Sequence, residues 1–178
     1  MKKIIGVLFF CFITIQAQNT NIGFRLEPFL YSGGMFIDRP SKDDADIYFT
    51  SFYLTYSIPI DDFFQAQARL GYLATKTQAV KYNGLEATAL LFFNYKSGFM
   101  PTIGLNFHKN DNYKDNDTYV KELIVVSPLF GFEGRIGDNF QWGLTIQFPV
   151  NNEFIEYWLN KYHVRYLIKL SVGWEFVL

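Results

Sequence analysis

From Val164 to the end of the chain, every second residue is apolar: Val164, Tyr166, Ile168, Leu170, Val172, Trp174, Phe176 and Leu178. The residues between them, Arg165, Leu167, Lys169, Ser171, Gly173, Glu175 and Val177, are mostly polar or small. A side-chain period of two predicts a β-strand with one greasy and one mostly polar face. The same alternation recurs in about eight segments, near 22–31, 46–58, 63–74, 84–95, 99–108, 122–136, 139–150 and 164–178. Each is near or above the ~9–11 residues that a tilted strand needs to cross a bilayer. Strands of soluble proteins are shorter, about five or six residues.

One face of each segment is apolar. It reads Phe64, Ala66, Ala68, Leu70, Tyr72 in the third and Leu85, Ala87, Ala89, Leu91, Phe93 in the fourth. In the seventh it reads Phe140, Trp142, Leu144, Ile146, Phe148. No charge falls on this face in any segment. Pro28, Pro101 and Pro128 interrupt the pattern, because proline removes a ladder donor, so local bulges are expected there.

The connections alternate in length. Residues 32–45, 75–83, 109–121 and 151–163 make long ones, and 59–62, 96–98 and 137–138 short ones. The short ones hold turn residues such as Ser97-Gly98 and Gly137-Asp138-Asn139. Aromatic residues gather at both ends of the segments. Tyr56, Tyr95, Phe99, Phe132, Phe140, Trp142, Trp174 and Phe176 lie near the short turns, and Tyr48, Tyr72, Phe107, Phe148 and Tyr166 near the long loops. Two aromatic girdles with unequal loops are the pattern of a transmembrane barrel.

Composition sharpens this picture. Aromatic residues make up 20% of the 178 residues, yet no stretch beyond the first seventeen reaches the ~18 apolar residues of a spanning helix. Met1-Lys2-Lys3 followed by the apolar run from Ile4 to Ile15, with Ala17 at the cut, predicts a signal peptide over 1–17 and a barrel domain over 18–178. Removing it takes away Cys11, the single cysteine, along with Lys2 and Lys3. Fourteen basic residues then face 17 acidic ones, and the formal charge moves from −1 to −3. With no basic excess and no basic run, no nucleic-acid partner is expected.

The chain resembles the small eight-stranded outer-membrane barrels of OmpA-like, OmpX-like and OmpW-like type. The resemblance rests on the leader, the strand count, the loop asymmetry and the closing strand. It implies an all-β, antiparallel, up-and-down transmembrane β-barrel in the outer membrane, in contact with membrane lipid and lipopolysaccharide. It also implies that the barrel-assembly machinery reads the C-terminal strand, where Trp174, Phe176 and Leu178 carry the signal. Two departures stand out: the chain ends in Leu178 where the family usually ends in Phe or Trp, and it has no room for a periplasmic peptidoglycan-binding domain. The rival fold is a soluble lipocalin-like barrel, which would bury its apolar face inside and carry lysine and glutamate outside.

On the transmembrane reading the polar face lines the lumen. Strand direction places Arg25, Glu27, Glu133, Arg135 and Glu175 toward the short turns, Arg69 at mid-height, and Glu86, Arg165 and Lys169 toward the long loops. Buried charges must be paired. A lumen plug of ion pairs is therefore expected, centred on Arg25, Glu27, Arg135 and Glu175, and an eight-stranded barrel is narrow enough to be filled this way. A second inward group, Phe29, Tyr31, Phe49, Tyr53, Leu73 and Leu167, suggests an apolar pocket toward the long loops. The role expected is structural or surface interaction through the long loops. The alternatives are a binder or narrow conduit for small hydrophobic solutes and, third, a lipid-modifying enzyme.

The enzyme reading is weak in the residues. His108 and His163 are the only histidines, and neither has a serine near it in sequence. The stretch Asn110-Asp111-Asn112-Tyr113-Lys114-Asp115-Asn116-Asp117 lacks the glycine and the final glutamate of a calcium loop and reads as a solvated surface loop. No metal and no cofactor are expected. Phe154, Tyr157, Trp158, Leu159 and Tyr162 in the last long loop are expected to pack over the barrel mouth or against lipopolysaccharide.

Overall fold

The computed structural model describes residues 20–36, 44–46, 51–74, 83–111, 118–120, 124–150, 154–156 and 161–178, with side chains over 20–28, 51–74, 83–111, 124–150 and 165–178. The strands are β1 (Asn21–Phe36), β2 (Asp44–Asp46), β3 (Ser51–Pro59), β4 (Phe64–Leu73), β5 (Gly84–Phe93) and β6 (Phe99–Asn110). They continue as β7 (Thr118–Val120), β8 (Ile124–Ile136), β9 (Phe140–Gln147), β10 (Phe154–Glu156) and β11 (Lys161–Val177).

Eight of these strands close on themselves. Neighbours run β1-β3-β4-β5-β6-β8-β9-β11, and β1 pairs back onto β11. Every pairing is antiparallel, so the fold is an up-and-down eight-stranded barrel. Closure satisfies each strand's backbone groups from its two neighbours, which matters because an unpaired backbone group in hydrocarbon costs several kcal/mol.

The three short strands lie where long loops were expected. β2 pairs with β1, β10 with β11, and β7 with β10. β1 itself runs on to Phe36, and β11 begins at Lys161, with Phe36 opposite Tyr162. The apolar alternation fades in these segments, but their backbone donors and acceptors still need partners. The extended ends of β1 and β11 supply them to β2 and β10, and β10 in turn to β7.

The alternation resolves into two faces. On β3, Ser51, Tyr53, Thr55 and Ser57 are buried, and Phe52, Leu54 and Tyr56 are exposed. Leu54 is 60% exposed and Ser57 0%, the reverse of a soluble barrel. Phe52, Leu70, Leu85, Ile103, Leu105, Phe107 and Phe130 complete an exposed apolar belt around the wall. Lys109, at the long-loop end of β6, is the one charged residue at an outward position among the described side chains of the eight barrel strands.

Near the short turns the aromatic rings touch in series. Ring centroids of Phe24 and Trp174 lie 5.4 Å apart, Phe140 and Trp174 5.1 Å, and Phe99 and Phe132 5.2 Å. Toward the long loops Phe130 stacks on Phe148 at 5.4 Å. Such pairs add about 0.5–1.5 kcal/mol each beyond the area they bury.

The prolines are accommodated in two ways. At Pro28 the β1–β11 register slips between Leu26 and Phe29, so Glu27 and Pro28 together oppose Ser171 in a bulge. At Pro101 and Pro128 the regular register toward one neighbour ends, although at Pro128 the N–H of Phe148 still donates to the Pro128 carbonyl and that of Val150 to the Val126 carbonyl, both at 2.9 Å. The β5–β6 pairing stops at Phe92 and Thr102, one residue before Pro101. The β8–β9 pairing stops at Leu129 and Gln147, one residue after Pro128. Each of these prolines thus falls just beyond the regular register toward one neighbour, and no bulge forms in the β6–β8 register.

The short turns carry the chemistry that their sequences promise. Asp61 Oδ1 accepts bonds from the backbone N–H groups of Phe63 and Phe64, both at 2.7 Å. Gly137 takes a positive φ of 64°, and so does Asn94, at 54°. Across two of these turns Lys96 pairs with Asp62. The Lys96 hydrogen bond and charge hold the Asp62 carboxyl below its ordinary value of 3.8, and Asp62 raises Lys96 in return. A depressed carboxyl contributes stability above its unfolded pKa and loses it as pH falls through the folded one. Both groups are solvated, so the effect is local. An NMR titration of Asp62 is expected to show a midpoint below 3.8 that returns to 3.8 in Lys96→Ala, with no measurable change in barrel stability.

Candidate functional site

The charged residues of the strands turn inward and meet in two groups along the barrel. The group nearer the short turns is built around Glu133 of β8. Its Oε2 accepts from Arg25 of β1 and its Oε1 from Arg69 of β4. Arg25 also donates to Gln141 Oε1 and, at 3.1 Å, to Ser171 Oγ. Glu175 forms a second centre. Its Oε1 accepts from Ser57 Oγ at 2.9 Å and from Gln67 Nε2, and its Oε2 accepts from Gln141 Nε2 at 2.7 Å. Arg135 lies 3.7 Å from Glu175 Oε2 and is 24% exposed, so it sits at the edge of the group.

The second group lies nearer the long loops. The Lys169 ammonium on β11 is 2.7 Å from Glu86 Oε2, 3.2 Å from Glu27 Oε2 and 3.1 Å from the Tyr53 hydroxyl. The Tyr53 hydroxyl donates its one proton to Glu86 and lies 3.3 Å from Glu27 Oε2. Asn106 Nδ2 donates to Glu86 Oε1 at 2.9 Å, and Thr88 donates to Asn106 at 2.7 Å. His108 places Nδ1 3.3 Å from Glu86 Oε1 and Nε2 3.1 Å from Asn110 Oδ1. Charges this deeply buried persist because each has an opposite charge and several neutral donors or acceptors around it.

Room for these long side chains comes from glycines at inward positions. A Cβ on Gly143 would fall 2.9 Å from Ser171 Oγ and 3.0 Å from Glu133 Cγ. One on Gly173 would fall 2.7 Å from Arg25 Cγ. One on Gly71 would fall 2.5 Å from the Tyr53 ring. The small residues that weaken the alternation in sequence are thus the space into which the ion pairs fold.

Of the nine charged residues assigned to the lumen from sequence, Arg25, Glu27, Arg69, Glu86, Glu133, Lys169 and Glu175 are buried within these groups. Arg165 keeps the inward parity but is exposed, because β11 has by then risen to the long-loop end. The centre expected at Arg25, Glu27, Arg135 and Glu175 divides. Glu27 joins the long-loop group, at the bulge in β1, and Glu133 with Arg69 takes its place beside Arg25.

The apolar group is redistributed as well. Tyr53, Leu73 and Leu167 are buried inside, but the Tyr53 hydroxyl belongs to the ionic group. Phe49 lies outside the described residues, and so do the side chains of Phe29 and Tyr31. The apolar cluster within the barrel is instead Leu90, Phe92, Met100 and Leu129, with Tyr95 against it. Sequence parity hides it because Leu90-Leu91-Phe92-Phe93 is apolar on both faces.

Sequence reasoning also passed over Ser57, Gln67, Asn106, Gln141 and Ser171, which complete the network. Their only signal is an uncharged polar residue in register with the inward charges. The His163 side chain, residues 112–117, and the side chains of Phe154, Tyr157, Trp158, Leu159 and Tyr162 lie outside the described set. Asp111, at the start of the asparagine-rich stretch, accepts a bond from Tyr72. Among the described residues no group of three or more His, Cys, Asp or Glu is placed to hold a metal ion.

No family model matches this sequence, and no curated protein is similar to it. Among the solved structures that resemble its fold are three at 13% identity each. The outer membrane protein OprG from Pseudomonas aeruginosa covers 90% of this chain and 97% of its own, with a TM-score of 0.42. The N-terminal β-barrel domain of Pseudomonas aeruginosa OprF covers 88% and 97%, with 0.47. Neisserial surface protein A covers 89% and 97%, with 0.49. The barrel described above stands on this chain's own closed strand ladder.

Proposed function

We propose that this protein is an outer-membrane barrel whose lumen is plugged by its own side chains, with a structural or surface-interaction role. The observation that supports this reading is the sorting of charge. The wall between the girdles presents apolar residues, whereas seven buried charged side chains turn inward and pair there. Water outside would reward the opposite arrangement, and only hydrocarbon outside rewards this one. The belt then meets membrane lipid, the upper girdle meets lipopolysaccharide, and the long loops meet any surface partner. The closing strand, ending in Trp174, Phe176 and Leu178, is the segment for the assembly machinery to read.

The expected result in planar bilayers is no steady conductance from the purified barrel. Steady single-channel steps abolished by Arg135→Ala would overturn the plug. Heat-dependent gel mobility of the membrane fraction tests the location, and recovery in the soluble periplasm would refute it.

A further inference from the structure

The two ionic groups differ in sign. The short-turn group holds Arg25, Arg69 and Arg135 against Glu133 and Glu175, a net charge of +1. The long-loop group holds Lys169 against Glu27 and Glu86, a net charge of −1 with His108 counted as neutral. The ion pairs described above each join groups of the same level. Between the levels lies Ser171, 3% exposed, two residues along β11 from Lys169 and bonded to Arg25. Fixed charge in a narrow, weakly screened lumen repels ions of its own sign far more than it would in water.

We infer that the lumen carries two independent, stacked ion-pair plugs of opposite net charge, each of which closes it alone, so that it stays shut when either plug is broken. This rests on the plugged-lumen reading, and it explains why the charges segregate rather than forming one neutral cluster. Once a plug is opened, the net charge left at its level favours anions on the short-turn side and cations on the long-loop side.

Paired substitutions that leave each level's net charge intact test the inference. Arg25→Gln with Glu133→Gln breaks the lower ion-pair plug, and Lys169→Gln with Glu86→Gln breaks the upper one. With folding checked by heat-dependent mobility, each pair alone is expected to remain at background conductance, and the four together to open steady steps. A single pair that conducts as well as the four, or a folded fourfold variant that stays silent, overturns the inference. Steady steps from the unaltered barrel would instead refute the plug itself.

A second readout does not need the fourfold variant. Ser171→Cys is made with Cys11, the one native cysteine, replaced by serine. Oriented proteoliposomes are treated from either side with methanethiosulfonates bearing a trimethylammonium or a sulfonate head. The thiol is expected to be protected from both sides in the otherwise native barrel. Breaking the lower plug should speed its reaction roughly tenfold or more from the short-turn side only. There the sulfonate reagent should be the faster, drawn by the remaining +1. Breaking the upper plug should open the long-loop side only, and the trimethylammonium reagent should be the faster. Access from both sides after one break, or the same charge preference from both, overturns the inference.

Discussion

Glu133→Ala is expected to destabilise the folded barrel by about 3–5 kcal/mol, the cost of leaving a buried charge without its partner. Both Glu133 oxygens are taken, one by Arg25 and one by Arg69, and its side chain is fully buried. Removing it leaves two guanidinium groups close together with, among the described residues, Gln141, Ser171, Gln67 and the more distant Glu175 around Arg25 and Arg69. Neither can reach bulk water without leaving the lumen. Glu133→Gln keeps the shape and one acceptor oxygen, so it should lose less.

A compensating pair separates charge from packing. Arg69→Met with Glu133→Met removes one cation and one anion together and should recover part of the lost stability, because it abolishes the repulsion between the two guanidinium groups, while Arg25 keeps, among the described residues, Gln141, Ser171 and the field of Glu175. Urea titration of the barrel in lipid vesicles, followed by tryptophan fluorescence, measures all three. A Glu133→Ala barrel within about 1 kcal/mol of the native one would show that the network does not hold the structure together.

The second large effect lies on the opposite face. Leu54→Arg places a charge on the outer wall of β3, with Phe24 and Leu70 as its register neighbours. In a bilayer this should cost about 2–4 kcal/mol, less if the guanidinium reaches the headgroups. For a water-facing residue as exposed as Leu54, the same change would stay within about 0.5 kcal/mol. The comparison is sharp because exposure alone predicts tolerance, and only the solvent outside reverses it. A neutral result in vesicles would remove the membrane from the reading of this wall.

The eight barrel strands were legible in the sequence because period-two alternation is a local signal. An apolar outer wall puts apolar residues on the same side of every strand, so Phe64 to Tyr72 and Phe140 to Phe148 betray both strand and face without reference to any neighbour. The short turns were legible for the same reason, since Gly137 must supply a positive φ and Asp61 caps its own turn. The inward set of charges followed from parity. Arg165 broke the rule because parity gives a direction but no height, and only the length of β11 relative to its neighbours decides whether an inward residue lies within the lumen or above it.

The sequence by itself determined the strands, their two faces and the inward direction of the charges, because each depends on residues a few positions apart. The tertiary structure decided which charge meets which. Glu133 is separated from Arg25 by 108 residues and from Arg69 by 64, and Lys169 from Glu86 by 83. Those meetings depend on strand stagger around the closed wall, on the slip at Glu27 and Pro28, and on the glycines that leave space between them. Stagger is a property of the whole circumference, fixed only when β11 pairs with β1, and no local pattern along the chain encodes it.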